Sequence, residues 1–376
     1  MPPILDLSRA APPPRPVCLL QAAFTRPAWR TQARVGGPMG EITVGRSLVR
    51  GLKALGYDAV ELPGWRQAAA RLFLARLRFR PPADLLVFDP WTLEQASRRR
   101  SVGPADARRT LVLESFGTAP EMRLPASRWL EARRFLTPFP MRYAWGSNTF
   151  LGFMLGEAAG APLPDPEALL ARVRAAAAAK ERFGILWTKD AARIDDAARA
   201  LLAPLARICP IYATISKERG FRPGLLPPGV ENRGHLGQAE WQALLGRASF
   251  LVGVGDPLLG IAPLEALAAG CAYLNPRFAP PRLINGESAL EVRSQHPYLE
   301  GIPPPFVHTF DPLDAPAAQA AVEASLDGAI RRQAIEGDAG RALLQALGPF
   351  TEAPYLARLR GILGTLVGNG APALSS

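Results

Sequence analysis

Short apolar runs alternate with helical patterns along the first part of the chain. The run PVCLLQAAF at residues 16–24 is typical of a buried strand. From Glu41 onward, apolar residues recur at helical spacing until Gly56, a residue type that commonly ends helices. Further strands are predicted at residues 58–62, 83–90 and 109–117. This alternation predicts a parallel sheet that is covered on both faces.

The pattern changes at residues 158–180, which are punctuated by proline and then rich in alanine. We interpret this stretch as a linker, because the strand–helix alternation restarts beyond it. Strands are predicted at 184–188, 209–215, 249–255 and 271–276, with helices at 195–205, 241–247 and 263–269. The expected organisation is a disordered tail at 1–15, an α/β domain at 16–157, a second α/β domain at 181–365 and a flexible tail at 366–376. A cleft between the carboxyl ends of the two sets of strands is the default ligand site.

Composition narrows the classes of protein. The 376 residues include only three cysteines and three histidines, too few and too scattered for a disulfide framework or a structural zinc site. No apolar run is long enough to span a membrane, and the first residues do not resemble a signal peptide. The net charge of +11 raises the possibility of nucleic acid, but the arginines are scattered and no nucleic-acid motif accompanies them, so we expect no such partner. The basic residues are either solvated helix faces or a patch for an anionic substrate such as a nucleotide sugar.

A glycine-rich loop and a short predicted helix follow the strand at 249–255. Gly255 lies in the loop, and Pro263 stands where we expect the first helical position. Main-chain N–H groups near Ala262, Pro263 and Leu264 would then face an anion such as a diphosphate. Glu265 in the first turn either accepts hydrogen bonds from ribose hydroxyls or simply complements the charge of the helix end.

A second junction of the same kind begins at Gly36. Glu41 falls at the start of the following helix, where it either stabilises the helix or acts as a general base facing the second domain. A glycosyl transfer that inverts the anomeric centre needs one base for the acceptor hydroxyl and positive potential for the departing diphosphate.

Several segments together carry a family resemblance. In chain order they are GGPMGE (36–41), LESFGTAPE (113–121), SNTFLGF (147–153), FLVGVGDPLLGIAPLEALAAGCAYLNPRF (250–278) and SQHPY (294–298). They resemble the catalytic domain of the α-1,6-mannosylglycoprotein 6-β-N-acetylglucosaminyltransferases, glycosyltransferase family 18. The resemblance runs from about residue 34 to 360. It implies a GT-B fold with an acceptor domain followed by a nucleotide-sugar domain, inverting chemistry without a metal or other cofactor, UDP-N-acetylglucosamine as donor and a glycan acceptor, through the 6-OH of mannose in the family.

The resemblance also assigns residues, and the chain departs from the family at some of them. Glu41 matches the family's catalytic base, and Glu265 matches a glutamate of its UDP site. The family motif FPYEGPAPLEA has a further glutamate where this chain has Leu259, and the phosphate-contacting lysine of a GKP motif has no counterpart. Lys189, Arg277 and Arg282 are the candidates to supply that charge. His296 either holds the nucleotide or sugar or caps a loop within the core.

Two alternatives to a transferase stay open from the sequence. One is a nucleotide-sugar epimerase or hydrolase on the same fold, and the other is a sugar- or polyanion-binding relative that has lost activity. The anchor, the stem and the many cysteines of the family's Golgi enzymes are not found in this sequence. The sequence as written therefore favours a soluble cytoplasmic protein, whereas the resemblance implies the Golgi lumen, and the location stays open.

Overall fold

The computed structural model describes ten parts of the chain: residues 16–22, 39–62, 84–114, 124–140, 148–177, 179–188, 190–216, 220–255, 257–283 and 291–366. The predicted tail at 1–15 and nearly all of the predicted tail at 366–376 lie outside them; Leu366 itself is the buried last residue of a helix. Apolar and basic residues around 65–79 also predict a helix between the second and third strands, and these residues lie outside the described parts.

The first half of the chain builds a six-stranded parallel sheet. Its strands are β1 (Val17–Gln21), β2 (Asp58–Glu61), β3 (Leu85–Phe88), β4 (Thr110–Leu113), β5 (Phe135–Thr137) and β6 (Thr149–Phe150), in the spatial order β2-β1-β3-β4-β5-β6. The described helices of this half are α1 (Met39–Ala54) and α2 (Pro90–Arg98). The left-handed Gly56 (φ 86°) follows α1, as the sequence predicts, and the Tyr57 N–H closes the turn on the Leu52 carbonyl.

The second half builds a seven-stranded sheet. Its strands are β7 (Glu181–Trp187), β8 (Ile211–Ala213), β9 (Val230–Asn232), β10 (Ala248–Gly253), β11 (Ala272–Leu283), β12 (Glu291–Ser294) and β13 (Val307–Phe310). The order is β12-β11-β10-β7-β8-β9 with β13 beside β11, and all pairs are parallel except β11 with β12. The described helices are α3 (Pro166–Ala177), α4 (Asp196–Leu205), α5 (Gln238–Arg247), α6 (Ala262–Ala268), α7 (Ala315–Leu326), α8 (Gly328–Ile335), α9 (Asp338–Leu347) and α10 (Glu352–Leu366).

Both sheets are buried on both faces, as their apolar strands require. In β10, Leu251 belongs to one apolar cluster while Phe250 and Val252 belong to another on the opposite face. In β1, Leu20 and Leu19 divide between two clusters in the same way. The expectation of two α/β sheets with helices on both faces is confirmed. No helix among the described residues is long and apolar enough to cross a bilayer.

The chain crosses between the halves twice, and the crossings run side by side. The first passes through residues 151–165 and the second through 348–352. The N–H of Leu155 donates to the Phe350 carbonyl at 2.8 Å, and the N–H of Glu352 donates to the Leu163 carbonyl at 2.8 Å. The second crossing returns the chain to the first half.

Helix α10 therefore packs on α1, although the two helices stand at opposite ends of the sequence. The approach is close, because a Cβ on Gly51 would lie 2.7 Å from Leu359 Cδ2 and would force the leucine side chain to move. The Arg358 guanidinium donates to the Leu151 carbonyl.

The predicted domain boundaries place all of 181–365 in the second domain and 158–180 in a linker. They stay a prediction, to which the structure adds that α10 contacts the first half and that α3, within the proposed linker, packs against α6, α8 and α9 of the second half.

Candidate active site

A cavity of about 230 Å³ lies where the carboxyl ends of the two sheets face each other. The first half lines it with Gly40, Glu41, Thr43 and Phe139. The second half lines it with Trp187, Thr188, Thr214, Ser216, His235, Leu236, Gln238, Trp241, residues 257–262 and Glu265. The starts of both predicted helices thus line one cavity. This is the expected place, because ligand sites of parallel sheets lie outside the carboxyl ends of the strands.

Glu41 lies in the first turn of α1, where the positive end of the helix favours a carboxylate. Its side chain lines the cavity, and its Oε2 is buried with no hydrogen-bond partner in the parts of the chain that are described. The helix start is close to the opposite wall, because a Cβ on Gly40 would lie 3.7 Å from Ile261 Cγ1. A carboxylate so placed is available to accept a proton from a bound hydroxyl.

Glu265 lies in the first turn of α6 on the opposite wall and is almost fully buried. Burial raises its pKa to about 7, although a hydrogen bond from Trp241 and the charge of Arg172 act in the opposite direction. Its Oε1 meets no hydrogen-bonding group among the described residues. A buried carboxylate with an open oxygen facing a cavity suits a ligand that brings its own hydroxyl donors.

Helix α6 differs in detail from the sequence prediction. It begins at Ala262, so Pro263 is its second residue rather than its first. The N–H groups of Leu264 and Glu265 donate to the Ile261 carbonyl, and proline has no N–H. Of the three residues expected to offer N–H groups to a diphosphate, only Ala262 has one outside these bonds, and only Ala262 lines the cavity. Pro263 and Leu264 are buried in the core.

Gly255 and His296 lie behind the cavity wall rather than on it. Gly255 has a left-handed backbone (φ 96°), and its N–H donates to Gln295 Oε1 at 2.8 Å. His296 is fully buried, with Nε2 3.0 Å from the Gly260 carbonyl and its ring edge-on to Phe139 across the halves. Burial lowers the pKa of His296 to about 3, so the ring is neutral and donates to that carbonyl from Nε2. Direct ligand contact by Gly255 and His296 therefore stays a prediction, and this placement favours the alternative in which His296 caps a loop within the core.

The three candidates to replace the charge of the family's phosphate-contacting lysine lie in different surroundings. Lys189 lies outside the described residues. Arg282 reaches the loop before α6, where its Nη1 donates to the Gly255 carbonyl at 3.3 Å and its guanidinium lies over the Phe278 ring. Arg277 is exposed on the same strand, β11, opposite Ser294 of β12.

Sequence reasoning did not single out several polar cavity residues. Thr188 and Thr214 directly follow strands β7 and β8, and Gln238 begins helix α5. Their position just after parallel strands was the available signal. No set of three His, Cys, Asp or Glu side chains within the described segments is arranged to hold a metal ion.

The fold belongs to the GT-B class, in which two Rossmann-like domains face each other across a cleft. Two solved structures show the likeness. The glycotransferase of kitacinnamycin matches with a TM-score of 0.50 and 14% identity, covering 94% of this chain and 100% of that one. An α-glucosyltransferase, solved with UDP and a DNA containing an HMU base, matches with a TM-score of 0.51 and 11% identity, covering 93% of this chain and 100% of that one.

The sequence is more specific than the fold. The model of glycosyltransferase family 18 matches residues 20–334, and the chain belongs to that family. Alpha-1,6-mannosylglycoprotein 6-beta-N-acetylglucosaminyltransferase B of Homo sapiens is 30% identical over 317 residues, which are 77% of this chain and 38% of the relative. The corresponding enzyme of Caenorhabditis elegans is 25% identical over 315 residues, 73% of this chain and 44% of the relative. The chain thus spans less than half the length of these relatives.

Proposed function

We propose that the protein is an inverting glycosyltransferase that moves N-acetylglucosamine from UDP-N-acetylglucosamine to a hydroxyl of an acceptor glycan. The observation that carries the proposal is the placement of Glu41 and Glu265 on opposite walls of one cavity between the halves. Membership of glycosyltransferase family 18 and the printed names of the relatives support the donor and the reaction.

Glu41 is the base in this mechanism. An acceptor hydroxyl bound in the cleft attacks the anomeric carbon of the donor sugar from the face opposite the diphosphate. As the new carbon–oxygen bond forms, the hydroxyl proton passes to Glu41, and the bond from the anomeric carbon to the diphosphate oxygen breaks with its electron pair, releasing UDP. An in-line displacement inverts the anomeric configuration, so an α-linked donor gives a β-linked product.

Glu265 holds the donor. Its carboxylate accepts hydrogen bonds from the ribose hydroxyls, which provide the donors that the buried Oε1 lacks among the described residues. Because such bonds favour the ionised carboxylate, donor binding lowers the pKa of Glu265 from its raised value near 7.

The departing diphosphate needs positive potential, which the family obtains from a lysine that this chain does not have. Among the basic candidates in the described part of the chain, Arg282 lies against the Gly255 carbonyl of the loop before α6, and we assign this role to it. The Ala262 N–H at the cavity wall adds one hydrogen-bond donor. We propose that these groups stabilise the leaving group without a metal.

The test is product analysis with UDP-N-acetylglucosamine and a panel of glycans that includes α-mannosides with a free 6-OH. We expect UDP release only in the presence of an acceptor, a β-linked product, and the same rate in EDTA as in buffer. Conversion of the donor without any acceptor would instead show an epimerase or hydrolase. UDP binding with no turnover on any glycan of the panel would favour an inactive binding relative.

A further inference from the structure

The loop between β10 and α6 holds an uncommon backbone conformation. Leu259, which lines the cavity, has φ 49°, in the left-handed region that residues other than glycine rarely adopt. Gly255 in the same loop has φ 96°. Such conformations persist only where surrounding structure imposes them, and they cluster at functional sites. The question is which residue imposes this one.

Gln295 contacts this loop at three points. Its Oε1 accepts a hydrogen bond from the Gly255 N–H at 2.8 Å, its Nε2 donates to the Pro257 carbonyl at 3.0 Å, and its main-chain carbonyl accepts from the Leu259 N–H at 3.2 Å. The residue is completely buried, and it is not among the residues that line the cavity. It therefore acts on the cavity through the loop.

The surroundings of Gln295 are built to keep its amide in place. The end of β10 passes so close that a Cβ on Gly253 would lie 1.9 Å from Gln295 Oε1, so a side chain at position 253 would displace the amide. On the other side, the Gln295 N–H donates to the Pro276 carbonyl at 3.0 Å. The side-chain oxygen of Asn275 accepts the next N–H along, that of His296, at 3.0 Å. The amide is thus held before any ligand arrives.

We propose that Gln295 is a positioning residue, which sets the conformation of loop residues 254–255 and 257–261 for binding of the donor diphosphate and ribose by the residues at the start of α6. This inference rests on the proposed function. An amide has one donor and one acceptor at fixed separation, and the loop uses both. Neither a hydrocarbon side chain nor an ionised carboxylate satisfies the Gly255 N–H and the Pro257 carbonyl together.

The test compares Gln295→Met, Gln295→Glu and a matched control, Tyr298→Phe. Tyr298 is in the same segment, and its hydroxyl donates to the Ala346 carbonyl at 2.7 Å, away from the loop. The control therefore also removes a partly buried hydrogen bond. UDP affinity is measured by calorimetry, acceptor KM and kcat by the transfer assay, and protection of the Gly255 and Leu259 amides by hydrogen exchange.

We expect Gln295→Met to weaken UDP binding by about ten- to a hundredfold, with acceptor KM unchanged, because leaving a buried donor or acceptor without a partner destabilises the loop conformation by that factor. Tyr298→Phe should keep the wild-type UDP affinity. Gln295→Glu gives a distinctive pH profile. A protonated carboxyl can donate to the Pro257 carbonyl as the amide does, so its UDP affinity relative to wild type should recover as the pH falls.

The outcomes separate this inference from the proposed function. If Gln295→Met kept both the UDP affinity and the amide protection of the control, the positioning role would be refuted. If the wild type bound no UDP, the proposed function and the donor-binding part of the inference would fail together. The hydrogen-exchange comparison would in that case still decide whether Gln295 sets the loop conformation.

Discussion

The two carboxylates of the cavity occupy equivalent places in the two halves, and their surroundings differ. In each half a helix with glutamate in its first turn comes after a buried parallel strand in the chain. Glu41 stands on a sixteen-residue helix and is partly exposed, whereas Glu265 stands on a seven-residue helix and is almost fully buried. The same local unit therefore supports different chemistry. A partly exposed carboxylate can exchange a proton with an entering acceptor, and a buried one can hold a nucleotide that brings its own donors.

The halves also differ in charge. Residues 158–376 contain equal numbers of basic and acidic residues, so the whole excess of +11 belongs to residues 1–157. The half that we assign to the acceptor is thus the basic one, and the half that we assign to the anionic donor is neutral. We therefore expect attraction of a donor diphosphate to depend on individually placed groups such as Arg282 rather than on the net charge of the second half.

The largest expected effect separates the two carboxylates by kinetics. Glu41→Gln should lower kcat by about 10²- to 10⁴-fold, the usual contribution of a general base, and leave UDP affinity near the wild-type value. Glu352→Gln is the matched control, because Glu352 also lies in the first turn of a helix but does not line this cavity. Steady-state rates and calorimetry measure both. A Glu41→Gln enzyme with the wild-type kcat would remove the base from position 41.

The next largest expected effect is on the free energy of unfolding, and it arises from Glu265 rather than Glu41. Its folded-state pKa of about 7 lies above the ordinary 4.5, so the folded protein binds more protons than the unfolded chain between these pH values. The free energy of unfolding therefore falls as pH rises through this window and stays lowered above it. Glu265→Gln lacks this loss and should gain about 3 kcal/mol relative to wild type between pH 4 and pH 8. Urea unfolding at both pH values measures the difference, and a pH-independent difference would contradict it.

Ionisation of Glu265 should also affect UDP binding, in the opposite direction: UDP affinity should rise with pH where stability falls. Because bound ribose favours the ionised carboxylate, wild-type affinity should fall by up to about tenfold for each pH unit below 7. Glu265→Gln should bind UDP more weakly at pH 8 and lose this part of the pH dependence. Titrations of both proteins at matched pH cancel the ionisation of UDP itself. Parallel pH profiles would exclude Glu265 from the nucleotide site.

The smallest effect tests the charge of the donor half. Arg282→Ala should weaken UDP binding by about fivefold at low salt, and the effect should shrink as salt increases, because an exposed charge is screened. Arg277→Ala on the same strand is the control and should have less effect. Equal losses from the two substitutions would mean that the contact of Arg282 with the loop is not what attracts the diphosphate.

Much of the fold was accessible from the sequence, for a physical reason. Strands buried on both faces, such as β1, β3 and β10, must be continuous apolar runs, and each was predicted within a few residues. The extension of β11 through residues 277–283 was not predicted, because its prolines and arginines do not resemble a strand. The return of α10 to α1 depends likewise on a long-range contact that no local pattern records.

The site shows the same division. Glu41 and Glu265 were candidates because a carboxylate in a first helical turn after a glycine-rich segment is a local feature, and the family resemblance assigned their roles. Gln295 was not a candidate, since its partners are main-chain groups of residues about forty positions away, and main-chain groups leave no trace in the residue types. The role of His296 was left open for the same reason. Its ring contacts the main-chain carbonyl of Gly260 in its own half and the side chain of Phe139 in the first half.

The paired crossings of the chain have a mechanical consequence for catalysis. Hydrogen bonds join the two connecting segments, and α10 fastens the second of them to the helix that carries Glu41. Because the two connecting segments are bonded to each other, we expect any motion between the halves to reduce to rotation about a single axis. Small-angle scattering with and without UDP would detect that rotation, and an unchanged profile would argue against it. One angle would then govern both the admission of substrates and the distance between proton acceptor and leaving group, so that an open cleft admits the glycan and only a closed one can react.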